Sequence, residues 1–224
     1  MHNTTSIAHV IWDWNGTLFN DAHYSWGIFC SVCRFAGVPE VSFERFQRVY
    51  QHPVEEMYRA AGFTITTETF NELTQYWHSQ YIAGVHELTL FDDAKDALSL
   101  AKSHGITQHI VSALPHDILT KNVSHQQIDK EFASVRGLTD LAGRSKLANA
   151  QTLVASLDHK PYEILVIGDS SHDAEVAMAL GAQCVLVSCG YEDTERLSRH
   201  GFPIVHSPMA ALVKGLGGGR RNFC

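Results

Sequence analysis

The chain has 224 residues, 45% of them hydrophobic, so one main domain with a sizeable insertion fits its length better than two full domains. Its 17 Lys and Arg residues against 24 Asp and Glu give a formal charge of −7, which argues against a large nucleic-acid-binding surface. No segment approaches the roughly 18 apolar residues of a membrane span, and the first residues lack the pattern of a signal peptide, so we expect a soluble, cytoplasmic protein without a membrane partner.

The first predicted strand covers residues 8–12 (AHVIW) and ends directly in Asp13, which a short turn containing Asn15, Gly16 and Thr17 follows. A carboxylate at the end of a buried strand is costly unless a cation pairs with it. Asp13 is therefore a candidate for a site that holds a positive ion.

The long interval from residue 20 to residue 89 contains no convincing strand. Its amphipathic segments, whose apolar residues recur at three-to-four spacing, are 24–36, 43–51, 54–61 and 67–83. We predict that residues 20–89 form a helical cap domain, inserted into a core domain made of residues 1–19 and 90–224. The alternative is that the interval only enlarges the core. Four of its first residues either face the site or pack inside the cap: Asp21, His23, Tyr24 and Trp26.

Cys30 and Cys33 form a C-x-x-C motif within the first of these segments. No second C-x-x-C or H-x-x-x-H accompanies it, and an odd total of five cysteines does not resemble a disulfide framework. We interpret both as small apolar residues packed in an amphipathic helix, with a redox or zinc role as the alternative.

The second half of the chain alternates apolar runs with helical patterns. The runs are 106–112, 164–168 and 184–188, with a weaker one at 204–205. The helical stretches are 94–104, 145–157 and 174–180. Strands that alternate with helices predict an α/β fold with a doubly wound parallel sheet. In such sheets, ligands bind beyond the carboxyl ends of the strands.

Polar residues stand at these strand ends. Ser112 and Ala113 close the second run, Asp169 and Asp173 follow the third, and Lys146 opens a helix. One Asp at a helix start is often only a cap, but carboxylates converging from two strand ends form an oxygen-rich site suited to Mg²⁺. With a cation, a hydroxyl and backbone N–H groups, such a site can bind a phosphoryl group, and a carboxylate can attack it as a nucleophile.

These elements resemble the haloacid dehalogenase superfamily, in its phosphoglycolate-phosphatase-like branch with a helical cap. The resemblance covers the whole chain and rests on four motifs in the family's order: Asp13 to Leu18 (DWNGTL), Ser112, Lys146 and residues 168–173 (GDSSHD). It implies a Rossmann-like core and a Mg²⁺-dependent phosphomonoester hydrolase acting on a small organic phosphate. We expect a monomer or homodimer.

The resemblance also assigns roles to individual residues. Asp13 would be the nucleophile and a metal ligand, with Lys146 holding nucleophile and phosphate together. Asp169, Asp173 and the backbone carbonyl of Asn15 would complete the Mg²⁺ site. Residues that would bind the substrate's phosphate are Gly16, Thr17, Ser112, Ala113 and Lys146.

One departure from the family matters for catalysis. Phosphatases of this family usually carry a second Asp where this chain has Asn15, and that Asp protonates the leaving oxygen and later activates water. An amide can do neither, and general acid–base catalysis is typically worth about 10²–10⁴-fold in rate. We therefore predict a slow enzyme, one specialised for good leaving groups, or one with a substitute acid. Candidates for that substitute, by position, are Asp21, His23 and His172.

Three alternatives follow from the same departures. The first is a binding protein that kept the metal and phosphate site but lost turnover. A carbon–halogen hydrolase is another, although the two acidic groups at Asp169 and Asp173 favour a metal and phosphorus chemistry. A phosphonate hydrolase is disfavoured because it would need a cap lysine, and residues 20–88 contain none. Many phosphoglycolate phosphatases have Pro where this chain has Leu147, which weakens the case for phosphoglycolate as the substrate.

Overall fold

The computed structural model describes residues 7–139 and 145–217. Within them, six parallel strands form one sheet in the order β3-β2-β1-β4-β5-β6. The strands are β1 (His9–Trp12), β2 (Thr107–Pro115), β3 (Ser134–Leu138), β4 (Ile164–Gly168), β5 (Gln183–Val187) and β6 (Ile204–Val205). The predicted doubly wound parallel α/β fold is confirmed.

Ten α-helices accompany the sheet in the described part of the chain. The first four are α1 (Ala22–Ala36), α2 (Phe43–Val49), α3 (Val54–Ala60) and α4 (Thr67–Gly84). The others are α5 (Ala94–Ser103), α6 (His116–His125), α7 (Leu147–Ala155), α8 (Ser171–Leu180), α9 (Thr194–Ser198) and α10 (Pro208–Gly217). None of the described helices has the length and apolar character that crossing a membrane requires.

Apolar side chains on both faces of the sheet explain why its central strands read as continuous hydrophobic runs. Val10 and Trp12 of β1 lie in one core cluster with Leu212 of α10, whereas Ile11 points to the other face and packs in a second cluster with Leu153 of α7. The helices on the two faces therefore fix β1, and with it the position of the residue that follows, Asp13.

Strand β3 and helices α6, α9 and α10 have no counterpart among the sequence predictions. Strand β3 is the edge strand next to β2, and most of its residues are only half-buried, so its sequence SVRGL shows no apolar run. An edge strand contacts one neighbour, which leaves less hydrophobic patterning for a prediction to detect. Strand β2 also extends past its predicted end, to Pro115.

Helices α1 to α4 form the interval between β1 and β2. The chain enters and leaves this helical segment at one place, where the Asn20 N–H donates to the Thr89 carbonyl (3.1 Å) and Phe19 forms a β-bridge with Leu90. The segment contacts the loop after β5, since the Gln47 side-chain amide donates to the Gly190 carbonyl (3.0 Å). The helical insertion therefore lies over the carboxyl end of the sheet, as a cap does. The domain boundaries after residues 19 and 89 stay a prediction.

The cysteines of the C-x-x-C motif are both buried free thiols on α1. Burial raises the pKa of Cys33 to about 11, so its thiol is protonated at neutral pH. This environment favours the packing interpretation over a reactive or metal-binding pair.

A chain of hydrogen-bonded histidines lies at the amino end of the sheet, away from Asp13. His9 Nδ1 is 3.1 Å from His109 Nε2, and His9 Nε2 is 2.9 Å from His159 Nδ1. His109 Nδ1 also contacts the Ser134 hydroxyl (2.9 Å). His9 and His109 are buried, and each of the two bonds between histidines needs an unprotonated ring nitrogen as its acceptor.

This histidine chain predicts a loss of stability in acid. Burial, with His9 and Arg136 nearby, lowers the pKa of His109 from 6.5 to about 4, and burial and His159 lower that of His9 despite the nearby Glu163. The folded protein favours the neutral ring of His109. The free energy of unfolding is therefore at its full value above pH 6.5 and falls as the pH approaches 4. At pH 5, His109 accounts for a loss of about 2 kcal/mol. Urea unfolding of the wild type and of His109→Leu at both neutral pH and pH 5 measures this.

We expect His109→Leu to be the less stable protein at neutral pH, because His9 and Ser134 lose a partner. Its stability should nevertheless fall less than that of the wild type on acidification. Equal losses in the two proteins would show that His109 does not titrate in this range.

Candidate active site

Asp13 lies at the carboxyl end of β1 and is held by the neighbouring strand, since its N–H donates to the Ile167 carbonyl of β4 (2.8 Å). Its carboxylate pairs with the buried ammonium of Lys146, which is 2.6 Å from Asp13 Oδ1 and 2.6 Å from Asp173 Oδ1. These two carboxylates raise the pKa of Lys146 although burial opposes it, so the ammonium stays charged. The lysine thus ties the end of β1 to the first turn of α8.

Three carboxylates meet beside this lysine. One oxygen from each of Asp13, Asp169 and Asp173 lies within 4.8 Å of the others. Burial raises the pKa of Asp13 to about 6 and that of Asp169 well above its ordinary value, whereas Lys146 lowers the pKa of Asp173 in spite of burial. One ammonium does not balance three buried carboxylates, and an oxygen-rich site with excess negative charge fits a divalent cation such as Mg²⁺.

Backbone and hydroxyl donors orient the two carboxylates that follow β4. Asp169 accepts hydrogen bonds from the Thr17 hydroxyl (2.9 Å) and the Tyr191 N–H (2.7 Å). Asp173 accepts from the N–H (3.0 Å) and hydroxyl (2.6 Å) of Ser170, in a capping box at the start of α8. Each carboxylate therefore has one fixed orientation toward Asp13.

Two glycines make room for Asp169. A Cβ at Gly190 would lie 2.2 Å from Asp169 Oδ2, and one at Gly16 would lie 2.4 Å from the same oxygen. Gly16 also has a φ of +70°, which disfavours other residues. These glycines are required by the close approach of the carboxylate.

We expect Gly190→Ala to weaken the binding of a divalent cation at this cluster by about 10- to 100-fold, because the added methyl group must displace Asp169. Calorimetric titration of the two variants and the wild type with Mg²⁺ measures this. The matched control is Gly27→Ala on α1, where the added methyl meets nothing within 4 Å. Unchanged Mg²⁺ affinity in Gly190→Ala would show that Asp169 is not a ligand.

Ser112 and Ala113 lie near the end of β2 and line the same cleft as Asp13 and Lys146. The buried Ser112 hydroxyl oxygen accepts the Leu114 N–H (3.0 Å), which turns its own proton toward other acceptors. The position suits a hydroxyl that contacts a phosphate oxygen. Gly16 and Thr17 contact Asp169 instead, and neither lines this cleft.

The Asn15 side chain belongs to a buried hydrogen-bond network. Its amide nitrogen donates to Asp21 Oδ2 (2.5 Å) and to the Tyr81 hydroxyl (2.7 Å). Asp21 also accepts from the hydroxyls of Tyr81 (2.9 Å) and Tyr191 (2.9 Å) and from the Gly16 N–H (3.0 Å). Burial raises the pKa of Asp21 to about 6 against these donors. Asp21 therefore holds the amide of Asn15 from the cap side.

The other two candidates for a substitute acid, His172 and His23, lie in different places. His172 is buried and lines the cleft, but its Nε2 accepts the Lys146 backbone N–H (3.2 Å). Burial, and after it the Lys146 charge, lowers the pKa of His172 to about 3, so the ring is neutral. His23 is exposed and stacks on Phe43 with ring centroids 3.9 Å apart, outside the cleft.

The residues through which α1 faces the cleft are not among the four whose orientation the sequence left open. Ser25 and Phe29 line it, whereas Asp21, Tyr24 and Trp26 do not. The spacing of Ser25 and Phe29 is i, i+4, which places them on one face of the helix. The aromatic residues singled out from the sequence lie on neighbouring faces.

Sequence reasoning also missed Tyr81 and Tyr191, which join Asn15 and Asp21 from α4 and from the loop after β5. Tyr191 follows a strand end, which is a usable signal. Tyr81 donates a hydrogen bond to Asp21, although the two residues are 60 positions apart in the sequence. Nothing in the local sequence pattern connects them. Only the three-dimensional approach of α4 reveals its role.

The chain matches the family model described as haloacid dehalogenase-like hydrolase over residues 10–187. It is 25% identical over 198 residues to the tyrosine-protein kinase PtkA of Mycobacterium tuberculosis, covering 88% of this chain and 67% of that protein. It is 28% identical over 130 residues to the phosphoglycolate phosphatase of Aliivibrio fischeri, covering 56% of this chain and 55% of the phosphatase. The alignment therefore spans about half the length of that phosphatase.

The fold is also shared with solved structures. A haloacid dehalogenase-like hydrolase from Streptococcus pneumoniae superposes with a TM-score of 0.80 at 21% identity, covering 93% of this chain and 98% of the other. At this identity the likeness concerns the fold alone.

Proposed function

This chain belongs to the haloacid dehalogenase-like hydrolases, and we propose that it is a Mg²⁺-dependent phosphomonoester hydrolase that works through an aspartyl-phosphate on Asp13. The observation that supports this most directly is the convergence of Asp13, Asp169 and Asp173 around one buried ammonium, Lys146. Curated relatives include phosphoglycolate phosphatases, which agrees with this chemistry.

The residues divide the reaction between them. Asp13, Asp169, Asp173 and the backbone carbonyl of Asn15 would hold Mg²⁺, which neutralises charge on the transferring phosphoryl group. An Asp13 carboxylate oxygen attacks phosphorus, and the bond from phosphorus to the ester oxygen breaks. The leaving oxygen departs with that electron pair and takes a proton from water to become the alcohol. Water then attacks the same phosphorus and releases the Asp13 carboxylate and inorganic phosphate. Lys146 and the Ser112 hydroxyl stabilise charge on the phosphoryl oxygens in both steps.

Asn15 sets the limit on this reaction. It stands where the family's acid–base Asp stands and donates its amide protons to Asp21 and Tyr81. It cannot protonate an alkoxide as the ester bond breaks, so esters with stable leaving groups should be favoured. The first step then limits the rate for alkyl phosphates more than for aryl phosphates.

Phosphoryl transfer to an acceptor other than water is a second candidate function. Asn15 favours it, because a phosphoenzyme without a general base to activate water hydrolyses slowly. Relatives named tyrosine-protein kinase point the same way. Label from [γ-³²P]ATP that appears on a tyrosine of the chain or of an added peptide, without release of inorganic phosphate, would favour this function.

The test of the proposed function is phosphate release from small phosphomonoesters and from an activated aryl phosphate, with Mg²⁺ and with chelator. We expect turnover that chelator abolishes. Phosphate release that persists in chelator would contradict the metal-dependent mechanism. Halide release from a haloacid in chelator, without phosphate release from any ester, would favour a carbon–halogen hydrolase. Mg²⁺ binding without release from any ester would favour a binding protein that has lost turnover.

A further inference from the structure

The cleft above Asp13 extends into the helical cap and encloses a cavity of about 120 Å³ that opens to solvent. Its walls come from all four cap helices and are mostly apolar. The apolar and aromatic side chains of the cap that line it are Phe29, Phe46, Tyr50, Val54, Met57, Tyr58 and Trp77. Buried aromatic walls of this kind bind apolar groups and exclude strongly hydrated ones.

The cleft offers little to a second anionic group on a substrate. Among the described residues that line it, Lys146 is the only Lys or Arg, and Asp13 and Asp173 already neutralise it. His172 presents an unprotonated nitrogen to the Lys146 N–H. His52 contacts the Tyr50 hydroxyl (3.1 Å), and its ring lies beside that of His172. A carboxylate such as that of phosphoglycolate would meet no Lys or Arg in the described lining of the cleft other than Lys146.

One hydroxyl in the cap wall lacks a hydrogen-bond partner among the described residues. Thr74 lines the cleft, and its buried hydroxyl makes no hydrogen bond within that part of the chain, although the residue as a whole is 9% exposed. Thr74 lies seven residues before Tyr81 on α4, which corresponds to about 10 Å along the helix axis. Since Tyr81 touches Asn15, Thr74 stands well above the catalytic end. A buried hydroxyl without a partner is costly, and a ligand group would satisfy it.

We propose that the substrate is a phosphate monoester whose leaving group is an aromatic, uncharged alcohol that fills the cap cleft and hydrogen-bonds through a distal polar group to Thr74. This deepens the proposed function and rests on it for turnover, but it stands on the cleft and not on Asn15. The apolar walls supply affinity, and Thr74 supplies selectivity among aromatic ligands. Phosphoglycolate and sugar phosphates are excluded as preferred substrates.

A binding measurement tests this substrate class independently of catalysis. Benzylphosphonate and phosphonoacetate both carry a non-hydrolysable CH₂–PO₃ group and differ in bearing a phenyl ring or a carboxylate. With Mg²⁺ present, we expect calorimetry to show roughly 30-fold tighter binding of benzylphosphonate, from the buried ring. Equal binding, or tighter binding of phosphonoacetate, would overturn the substrate class whether or not the protein is a phosphatase.

Turnover gives a second readout with matched leaving groups. Benzyl phosphate and phosphoglycolate both release an alkyl alcohol, so Asn15 penalises both. We expect kcat/KM to favour benzyl phosphate, mainly through KM. If phosphoglycolate is the better substrate, the proposed function stands and the substrate class fails. If neither ester nor an activated aryl phosphate is hydrolysed, the proposed function fails and the phosphonate comparison still decides the substrate class.

Thr74→Val keeps the shape of the side chain and removes its hydroxyl. We expect it to weaken the binding of 4-hydroxybenzylphosphonate about five-fold and to leave benzylphosphonate unchanged. Equally weakened binding of both phosphonates would indicate a disturbed cap and would contradict a specific role for the hydroxyl. Unchanged binding of both would show that the distal group does not reach Thr74.

Discussion

Replacing Asp13 with Asn is expected to reduce phosphate release by at least about 10⁴-fold, because the amide cannot attack phosphorus and form the acyl phosphate. The structure places this carboxylate 2.6 Å from Lys146 and within 4.8 Å of Asp169 and Asp173. Steady-state phosphate release with Mg²⁺, together with acid-stable labelling of the protein by a ³²P-ester, measures both the turnover and the phosphoenzyme.

The fold should survive this change. The introduced amide is nearly isosteric with the carboxylate of Asp13, and the substitution removes one of the buried negative charges that crowd the site, so thermal unfolding should occur at the same temperature or higher. Asp129→Asn is the matched control, since Asp129 is exposed and lies outside the cleft. Residual activity above a few per cent in Asp13→Asn, with normal folding, would assign the nucleophile to another residue.

The sequence contains most of what positions this nucleophile. Strand β4 matches its predicted bounds, and β1 begins one residue later than predicted, because both are central strands buried on two faces and read as plain apolar runs. Parallel strands bring their carboxyl ends to one edge, so Asp13 and Asp169 are adjacent as soon as β1 and β4 pair. That adjacency follows from topology and needs no knowledge of side-chain contacts.

The residues that the cap contributes to the site could not be predicted from the sequence in the same way. Helical periodicity locates α1 and α4, but it does not fix how each helix rotates against the core. A rotation of α1 by one residue, about 100°, would put Tyr24 or Trp26, depending on its direction, where Ser25 faces the cleft. The network of Asp21, Tyr81 and Asn15 depends on the same packing, so its members stay separate in the sequence until the helices are placed.

This network changes what restoring the family's acid should do. In Asn15→Asp, a carboxylate would replace the amide whose nitrogen is 2.5 Å from Asp21 Oδ2. Two carboxylates at that separation cannot both ionise, so one must hold a proton or the pair must move apart. We expect Asn15→Asp alone to destabilise the protein by about 2 kcal/mol or more and to raise phosphate release by less than ten-fold. Thermal unfolding and turnover of an alkyl phosphate measure the two effects.

Exchanging the two residues removes the conflict. In Asn15→Asp/Asp21→Asn, the carboxylate and the amide trade places, the net charge is unchanged, and the Tyr81 hydroxyl still has an acceptor. We expect this double variant to regain wild-type stability and to hydrolyse alkyl phosphates about 10²-fold faster than the wild type, with a smaller gain for aryl phosphates, whose leaving oxygen needs less protonation. Asp21→Asn alone should lower stability without raising turnover. A double variant that is stable but no faster would mean that the proton reaches the leaving group by a route independent of residue 15, and that the amide there serves to hold the cap through Asp21.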